Sequence, residues 1–362
     1  PAVFDLEPAD HERVLSIRFD PPGEDAAVVR KAAYSWGWDF APRRPAVGVW
    51  RPVELVSTAR PIVTGVRFRT LSLQDGVARV ETLVDHEGEA EVVTRLVAPD
   101  GSVTPGTTEL PAPALWWTHD RGTPALYDLE VDLVVDGEVV DTDRRRVGVR
   151  TVELDRTDGA FAFVLNGVPL AVRGANWVPP HTALGAVDPE RYLHLLTAAR
   201  DAHMTMLRVW GGGTYEHDLF YEACDRLGIL VFQDFMFACR DYRDDDPALV
   251  AEVEAEAVHQ VRRLQPHPCL ALWCGNNEVE LLAGLLDWES PSPARGLFHE
   301  LLPAVVARED GGTPYVHGSP VACNSRTDGD RHAWEVWHGL DVDDDRTGVA
   351  WSLDRGLVDP AS

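Results

Sequence analysis

Apolar and polar positions alternate in short runs between about residues 59 and 150, and no helical period interrupts them. A period of two is typical of half-buried β-strands. Turn signals such as Asp136-Gly137 separate the runs. The predicted strands are Val63–Leu71, Ala78–Val84, Ala90–Val97, Leu126–Val135 and Val139–Val149. Short strands at this spacing predict an immunoglobulin-like β-sandwich over residues 59–150.

The segment before residue 59 carries two further strand-like apolar runs, Val14–Phe19 and Val47–Val56. Two or three strands cannot close a sandwich. Residues 1–58 are therefore predicted to be the C-terminal part of a larger β-sandwich. Because the chain opens on Pro1 rather than Met, its natural N-terminus, and any signal peptide there, is expected to lie upstream.

From about residue 151 the pattern changes to strands that alternate with helices. Helical periodicity follows the cap at Asp188, runs through Leu219–Leu227 and returns over Val250–Val261. Repeated strand–helix units predict a parallel sheet, and polar residues at the carboxyl ends of its strands predict the functional rim of a (β/α)₈ barrel. The predicted barrel strands end near residues 177, 210, 232 and 273, with a fifth at Pro314–His317 and a sixth at Ala333–Trp337. No seventh or eighth strand follows, so residues 151–362 are expected to form an incomplete TIM barrel.

Charge and cysteine content indicate which partners and which cellular compartment to expect. The 362 residues carry 33 Lys and Arg against 59 Asp and Glu, a formal net charge of −26. This acidic excess argues against nucleic acid and anionic membranes as partners, and no apolar run reaches the length of a membrane span. An odd number of cysteines without a C-x-x-C pair is typical of reduced thiols and predicts a cytoplasmic protein. The cysteines are Cys224, Cys239, Cys269, Cys274 and Cys323.

The hexapeptide Trp273–Glu278 follows the fourth predicted barrel strand and is the strongest chemical signal in the chain. A carboxylic acid at this rim can protonate a leaving oxygen, and the amide before it can bind a sugar hydroxyl, as glycoside hydrolysis requires. Alternatively, Asn277 and Glu278 only cap the next helix, because Asn is a good N-cap and Glu suits a first turn. The residues alone leave both interpretations open.

A second cluster spans Arg30–Arg43, where two tryptophans flank a glycine next to Asp39. Aromatic faces such as that of Trp38 stack on sugar C–H surfaces, and a carboxylate can bind two hydroxyls. The alternative is an aromatic contact between domains, with Asp39 paired to Arg43. Composition does not separate the two.

The third cluster, Arg208–Gly213, lies on the second predicted rim position. Arg208 could orient carboxylates there, and the glycines could let the backbone approach a ligand. The histidines do not show metal-ligand spacing, so no metal and no cofactor are predicted. Further rim residues are Asn176, Trp177, Gln233, Asp234, Trp334, Trp337 and His338.

Together these motifs resemble glycoside hydrolase family 2, and within it the β-mannosidases. The combination of G-W-D with N-N-E is fairly specific for mannosidases over β-galactosidases and β-glucuronidases. The resemblance implies that the N-terminal sandwich is galactose-binding-like. The matching segments run in family order: Arg30–Asp39, Gly48–Val53, Phe163–Trp177, Leu207–Gly213, Phe232–Phe235, Trp273–Glu278 and Trp334–Gly339.

The resemblance implies a retaining exo-β-mannosidase, which hydrolyses terminal non-reducing β-D-mannose residues through a covalent glycosyl-enzyme. Its partner would be a β-mannoside oligosaccharide or glycan. Glu278 would be the general acid/base and Asn277 the partner of the 2-hydroxyl group. The implied substrate-binding residues are Trp38, Asp39, Trp177, Arg208, Trp210, Trp337 and His338.

The chain departs from the family pattern at the catalytic nucleophile. The family places this Glu on the seventh barrel strand in an S-E-F/Y-G context, and no such segment follows Gly339. Glu335 belongs to the preceding strand. The chain is thus expected to be an incomplete enzyme without its nucleophile. Two other functions stay open: another family 2 β-glycosidase, and a non-catalytic carbohydrate-binding pseudoenzyme.

Overall fold

The computed structural model describes residues 14, 16–21, 29–45, 47–54, 56, 58–106, 108–285, 294–321 and 329–332. The predicted sixth barrel strand lies outside these residues, as do Trp334, Glu335, Trp337, His338 and Cys323. The four cysteines within them are free thiols. No described helix has both the length and the apolar content that crossing a bilayer requires.

Two antiparallel sheets form the part of the chain between residues 62 and 147, and the five strands predicted there are confirmed. One sheet has the order β1-β2-β5 and the other β4-β3-β6-β7. The hairpin between β6 and β7 turns at Asp136 and Gly137, which both have positive φ, 52° and 80°, as tight hairpins require. The strands are β1 (Ile62–Gln74), β2 (Val77–Glu87), β3 (Glu91–Val97), β4 (Val103–Pro105), β5 (Glu109–Pro111), β6 (Tyr127–Val135) and β7 (Glu138–Val147).

The second half of the chain opens with a small antiparallel sheet of order β10-β9-β8 and continues with a five-stranded parallel sheet, β11 to β15 in sequence order. Every residue of β12, β13 and β14 is buried, as expected for parallel strands covered on both faces. The strands are β8 (Val152–Asp155), β9 (Ala162–Leu165), β10 (Val168–Leu170), β11 (Gly174–Trp177), β12 (Met206–Val209), β13 (Leu230–Asp234), β14 (Leu270–Cys274) and β15 (Tyr315–Val316).

Helices connect the parallel strands, and the three predicted helices are confirmed. The Asp188 side chain accepts a hydrogen bond from the Glu190 N–H at 2.9 Å and so caps the first helix. The second helix ends at Gly228 in the left-handed region, φ 67°. The helices are α1 (Pro189–Asp201), α2 (Asp218–Leu227), α3 (Pro247–Leu264), α4 (Val279–Leu285), a π-helix (Gly296–Leu301) and α5 (Leu302–Glu309).

The N-terminal segment corrects one expectation. Among its described residues before 58, the structure has a short 3₁₀ helix, Ala33–Trp36, and an isolated bridge between Trp38 and Ala41, but no strand. The runs Val14–Phe19 and Val47–Val56 are therefore not strands where they are described. Alternation alone does not make a strand, because a ladder also needs a partner for its backbone groups.

Direct hydrogen bonds join the antiparallel sheets to the α/β half. The side chain of Gln265, at the end of α3, accepts from the Phe68 N–H at 3.0 Å and donates to the Phe68 carbonyl at 2.7 Å. The buried indole of Trp116 donates to the Asp225 carbonyl at 2.9 Å. These contacts fix the helical layer, and through it the carboxyl ends of the parallel strands.

Candidate active site

The carboxyl ends of β13, β14 and β15 are held together by backbone pairing beyond the strands. Asn277 forms isolated parallel bridges with Ala238 on one side and Ser319 on the other. The Asn277 N–H donates to the Phe237 carbonyl and the Glu278 N–H to the Ser319 carbonyl, both at 2.9 Å. The backbone beneath Glu278 is therefore anchored on both flanks.

The structure bears on the capping interpretation of the Asn-Asn-Glu motif. The side-chain oxygen of Asn276, not Asn277, accepts from the Val279 N–H at 3.0 Å and caps α4. Glu278 has a positive φ of 60°, a conformation that costs free energy for a non-glycine residue and is common at functional sites. The side chains of Asn277 and Glu278 are thus left to face other groups.

Arg208 organises the centre of the rim. Its Nε and Nη2 atoms lie 3.0 and 2.8 Å from the two carboxylate oxygens of Asp234, a bidentate pair. Nη2 also donates to Oδ1 of Asn277 at 3.1 Å. Because burial alone would lower it, the pKa of Arg208 stays above its usual value chiefly through the charge of Asp234. Arg208 thereby fixes the amide of Asn277, whose Nδ2 lies 3.3 Å from Oε2 of Glu278.

The carboxyl group of Glu278 is nearly enclosed, with a side-chain exposure of 10%. Nδ1 of His332 contacts its Oε1 atom, and the Cys239 thiol donates to its Oε2 atom at 3.4 Å. Burial raises the pKa of Glu278, but the hydrogen bond and charge of His332, the Cys239 thiol and Arg208 outweigh burial and lower it. In this arrangement Glu278 is an ionised carboxylate at neutral pH.

Replacing His332 with Ala should raise the pKa of Glu278, because the main group that stabilises its charged form is removed while burial remains. A ¹³C NMR titration of the chain, labelled at the Glu side-chain carboxyls, would measure this pKa. The Glu278 resonance is identified by its absence from the spectrum of Glu278→Gln. The midpoint should move to higher pH in the variant. His194→Ala, at an exposed position of α1, should leave it in place. An unchanged midpoint in His332→Ala would show that the contact does not control the carboxyl.

Three groups of this cluster were not predicted from the sequence: His332, Cys239 and Ser319. The Ser319 hydroxyl lies 2.9 Å from Nε2 of His332, and Nη1 of Arg208 lies 3.5 Å from the same nitrogen. His332 and Glu278 are 54 positions apart, and neither His332 nor Ser319 belongs to a motif of the resemblance. Cys239 lies shortly after the Phe232–Phe235 motif. This proximity is the sequence feature that could have indicated a role for Cys239.

Two predicted clusters meet at an aromatic contact beside this rim. The ring centroids of Trp38 and Trp210 are 4.8 Å apart in an edge-on arrangement, and Phe40 also contacts Trp210 at 5.8 Å. The Tyr34 N–H donates to the Gly212 carbonyl at 2.9 Å. Trp38 thus joins the N-terminal segment to the end of the parallel sheet, as the domain-contact interpretation predicts, and its contact with a sugar stays a prediction.

The remaining predicted substrate residues are placed as follows. Asp39 is exposed in the turn that follows Trp38. Trp177 is 9% exposed. Its indole nitrogen donates to the buried Glu216 at 3.0 Å, and its ring packs on Phe220 at 4.8 Å. These contacts of Trp177 are with the helical side of the sheet, and its contact with substrate stays a prediction. Trp337 and His338 lie beyond the described residues.

The first glycine of the Arg208–Gly213 motif is required by packing within the chain. A Cβ atom on Gly211 would lie 2.4 Å from the Phe237 carbonyl oxygen and 2.8 Å from that of Phe235. These are backbone atoms of the segment that follows β13 and pairs with Asn277, so they cannot move away as a flexible side chain could. The sequence explanation, close approach to a ligand, is thus not the one that the structure supplies for Gly211.

Gly211→Ala should consequently lower the free energy of unfolding by about 3 kcal/mol, the upper range for overpacking. Chemical denaturation followed by tryptophan fluorescence would measure it. Gly185→Ala is the matched control, because the nearest atom to its Cβ would be the Trp50 Cβ at 3.8 Å, and it should cost less than about 1 kcal/mol. Equal losses in both variants would refute the packing explanation.

Comparison with known proteins supports the resemblance drawn from the motifs. Residues 66–150 match the family model of the glycosyl hydrolases family 2. Beta-mannosidase B of Aspergillus terreus is 36% identical over 348 residues, which cover 86% of this chain and 41% of the relative. Beta-mannosidase B of Aspergillus niger is 36% identical over 352 residues, with the same coverage. The chain spans about two fifths of the length of these relatives.

Comparison with solved structures also supports the resemblance drawn from the motifs. The β-D-mannosidase of Dictyoglomus thermophilum matches with a TM-score of 0.79 and 36% identity, covering 86% of this chain and 42% of that one. A β-glucuronidase of Bacteroides uniformis matches with a TM-score of 0.60 at 18% identity, a likeness in fold alone. The chain is therefore a relative of the glycosyl hydrolases of family 2. Within that family, the proteins that it resembles over most of its length are β-mannosidases.

Proposed function

We propose that this chain forms part of a retaining exo-β-mannosidase, which releases terminal non-reducing β-D-mannose from an oligosaccharide or glycan. The observation that carries the proposal is the enclosed carboxyl of Glu278 at the rim, with the amide of Asn277 fixed beside it by Arg208. The mannosidase relatives and the adjoining aromatic contact of Trp38 with Trp210 add support.

The proposed architecture follows that of the relatives. Residues 1–58 would be the C-terminal part of a galactose-binding-like sandwich, and residues 59–150 an immunoglobulin-like sandwich built from the two antiparallel sheets. Residues 151–362 would form about the first six strands of a TIM barrel, and the parallel strands β11 to β15 would be the first five of them. On this architecture the site lies at the carboxyl ends of the barrel strands, where such enzymes bind substrate.

In the proposed mechanism Glu278 first protonates the leaving oxygen and then accepts a proton from the attacking water. Its low pKa with His332 in contact suits the second role. The first role needs a proton on the carboxyl. A sugar that excludes water and separates His332 from Oε1 would raise the pKa, because burial would then dominate. No cofactor is needed for these steps.

Asn277 and the aromatic side chains would bind the sugar. With Oδ1 held by Arg208, the Asn277 amide nitrogen remains directed at the Glu278 carboxyl, close to where the 2-hydroxyl would lie. Trp38, Asp39 and Trp210 would line the terminal mannose subsite, with Trp177, Trp337 and His338 as further candidates. A retaining mechanism also needs a second carboxylate about 5 Å from the first, and none of the described residues is assigned to that role.

Aryl glycoside hydrolysis by the purified chain would test the proposal. Nitrophenyl β-mannoside, β-galactoside and β-glucuronide should be compared with and without azide, which can replace an absent nucleophile. We expect the mannoside to react at least about tenfold faster than the others, since a site that hydrogen-bonds specific hydroxyls discriminates strongly. Preference for galactoside or glucuronide would identify another β-glycosidase. Mannose binding without turnover under any condition would identify a carbohydrate-binding protein instead.

A further inference from the structure

Three side chains of metal-ligating type meet next to, but separate from, the Glu278 cluster. Glu280 lies in the first turn of α4, His299 in the π-helix, and His317 directly after β15. One ligand atom from each lies within 4.8 Å of the others. None of the three belongs to a motif of the resemblance, and none is used in the proposed hydrolysis.

The distances between ligand atoms fit one small cation. Nε2 of His299 lies 2.8 Å from Oε1 of Glu280, and Nε2 of His317 lies 3.3 Å from Oε2 of Glu280. In a tetrahedral zinc site with bonds of 2.0–2.2 Å, neighbouring ligand atoms lie about 3.3 Å apart. Glu280 therefore lies at ligand spacing from each imidazole, and a shared ion requires the two rings to turn so that both face it.

The two imidazole rings are already held in place. They stack with centroids 4.4 Å apart and planes at 25°. The backbone carbonyl of His317 accepts from Nδ2 of Asn276 at 2.9 Å, which anchors the main chain that carries this ring. His299 lies in a π-helix, a geometry that occurs frequently at functional sites.

Partial burial leaves room for one more ligand. The side-chain exposures are 17% for Glu280, 21% for His299 and 28% for His317. Three protein ligands with an accessible fourth position is the arrangement of open zinc sites, for which two histidines and one glutamate are a known set. Two imidazoles favour Zn²⁺ and similar transition metals over Mg²⁺ or Ca²⁺, which prefer oxygen ligands.

We propose that Glu280, His299 and His317 bind one divalent transition-metal ion of the zinc class, with a fourth position open to water. The ion would link the start of α4, the π-helix and the end of β15. Glu280 is two residues from Glu278, so the ion would also hold the backbone that carries the Glu278 carboxyl. The absence of metal-ligand spacing in the sequence does not oppose this, because the three residues come together only through the parallel sheet.

Metal binding to the whole chain tests the proposal directly. The chain would be dialysed against chelator and titrated with Zn²⁺ by calorimetry, and separately with Co²⁺ by visible absorption. We expect one ion per chain and the intense visible bands of four-coordinate Co²⁺. His299→Gln and His317→Gln should each weaken Zn²⁺ binding at least about 100-fold, the upper range for loss of a supporting group alone. His194→Gln, on an exposed face of α1, should bind Zn²⁺ like the parent chain.

X-ray absorption at the zinc edge of the loaded parent chain keeps the test decisive if a variant fails to fold. Two imidazole nitrogens and oxygen scatterers at about 2.0–2.1 Å are expected. No retained zinc, a spectrum without imidazole, or an affinity equal to that of the parent chain in both histidine variants would overturn the proposal. Because these readouts are binding and coordination, they are independent of whether the chain hydrolyses mannosides.

Discussion

Replacing Arg208 with Met should lower the free energy of unfolding by about 3–5 kcal/mol, the cost of breaking a buried ion pair from one side. The Asp234 side chain has no solvent exposure. Without Arg208, its carboxylate would lose the guanidinium and keep the hydrogen bond from the Gly211 N–H at 2.9 Å. A carboxylate left without its guanidinium in this setting must ionise at high cost or take up a proton. Urea denaturation at neutral pH, followed by circular dichroism, would measure the loss.

Arg200→Met is the matched control for that prediction. Arg200 also pairs with an aspartate, Asp201, at 2.8 Å, but both side chains are exposed, 39% and 62%. Exposed pairs contribute at most about 1 kcal/mol, so this variant should unfold almost as the parent does. The double variant Arg208→Met with Asp234→Asn should recover part of the loss, because no buried charge is then left unpaired. A loss below about 1 kcal/mol in Arg208→Met would contradict the assigned ion pair.

Replacing Glu278 with Gln should reduce hydrolysis of an aryl β-mannoside with a poor leaving group by about 10²–10⁴-fold, the usual contribution of a general acid or base. Gln has nearly the same shape and can still contact Asn277 and Cys239, but it cannot transfer a proton. The effect should shrink for a dinitrophenyl mannoside, whose leaving group needs little protonation. Initial rates with and without azide, on both substrates, would measure the contrast.

Glu190→Gln is the corresponding control, because Glu190 is also at the start of a helix but is exposed on α1. Its rates should match those of the parent chain on both substrates. Turnover that persists unchanged in Glu278→Gln would remove Glu278 from the acid/base role. Equal losses on both substrates would point to disrupted binding of the sugar rather than to lost proton transfer.

The sequence by itself determined helices α1 to α3, the strands β11 to β15 and three residues of the candidate site. Periodicity and caps are local properties, so α1 with its Asp188 cap and α2 with its Gly228 end could be predicted from a few neighbouring residues. The rule that functional groups follow the strands of a parallel sheet singled out Arg208, Asn277 and Glu278. The structure brings these three side chains into one hydrogen-bonded cluster.

Tertiary structure alone decided which distant groups surround that centre. His332 reaches Glu278 across 54 residues, and Glu280 meets His299 and His317 only because the sheet places β14 beside β15. Local patterns carry no information on such contacts, since these depend on strand order and loop paths. The same limit explains the N-terminal segment, where alternation predicted strands without a partner. Whether an apolar run becomes a strand, or two histidines come to lie beside a glutamate, depends on what the fold places next to them.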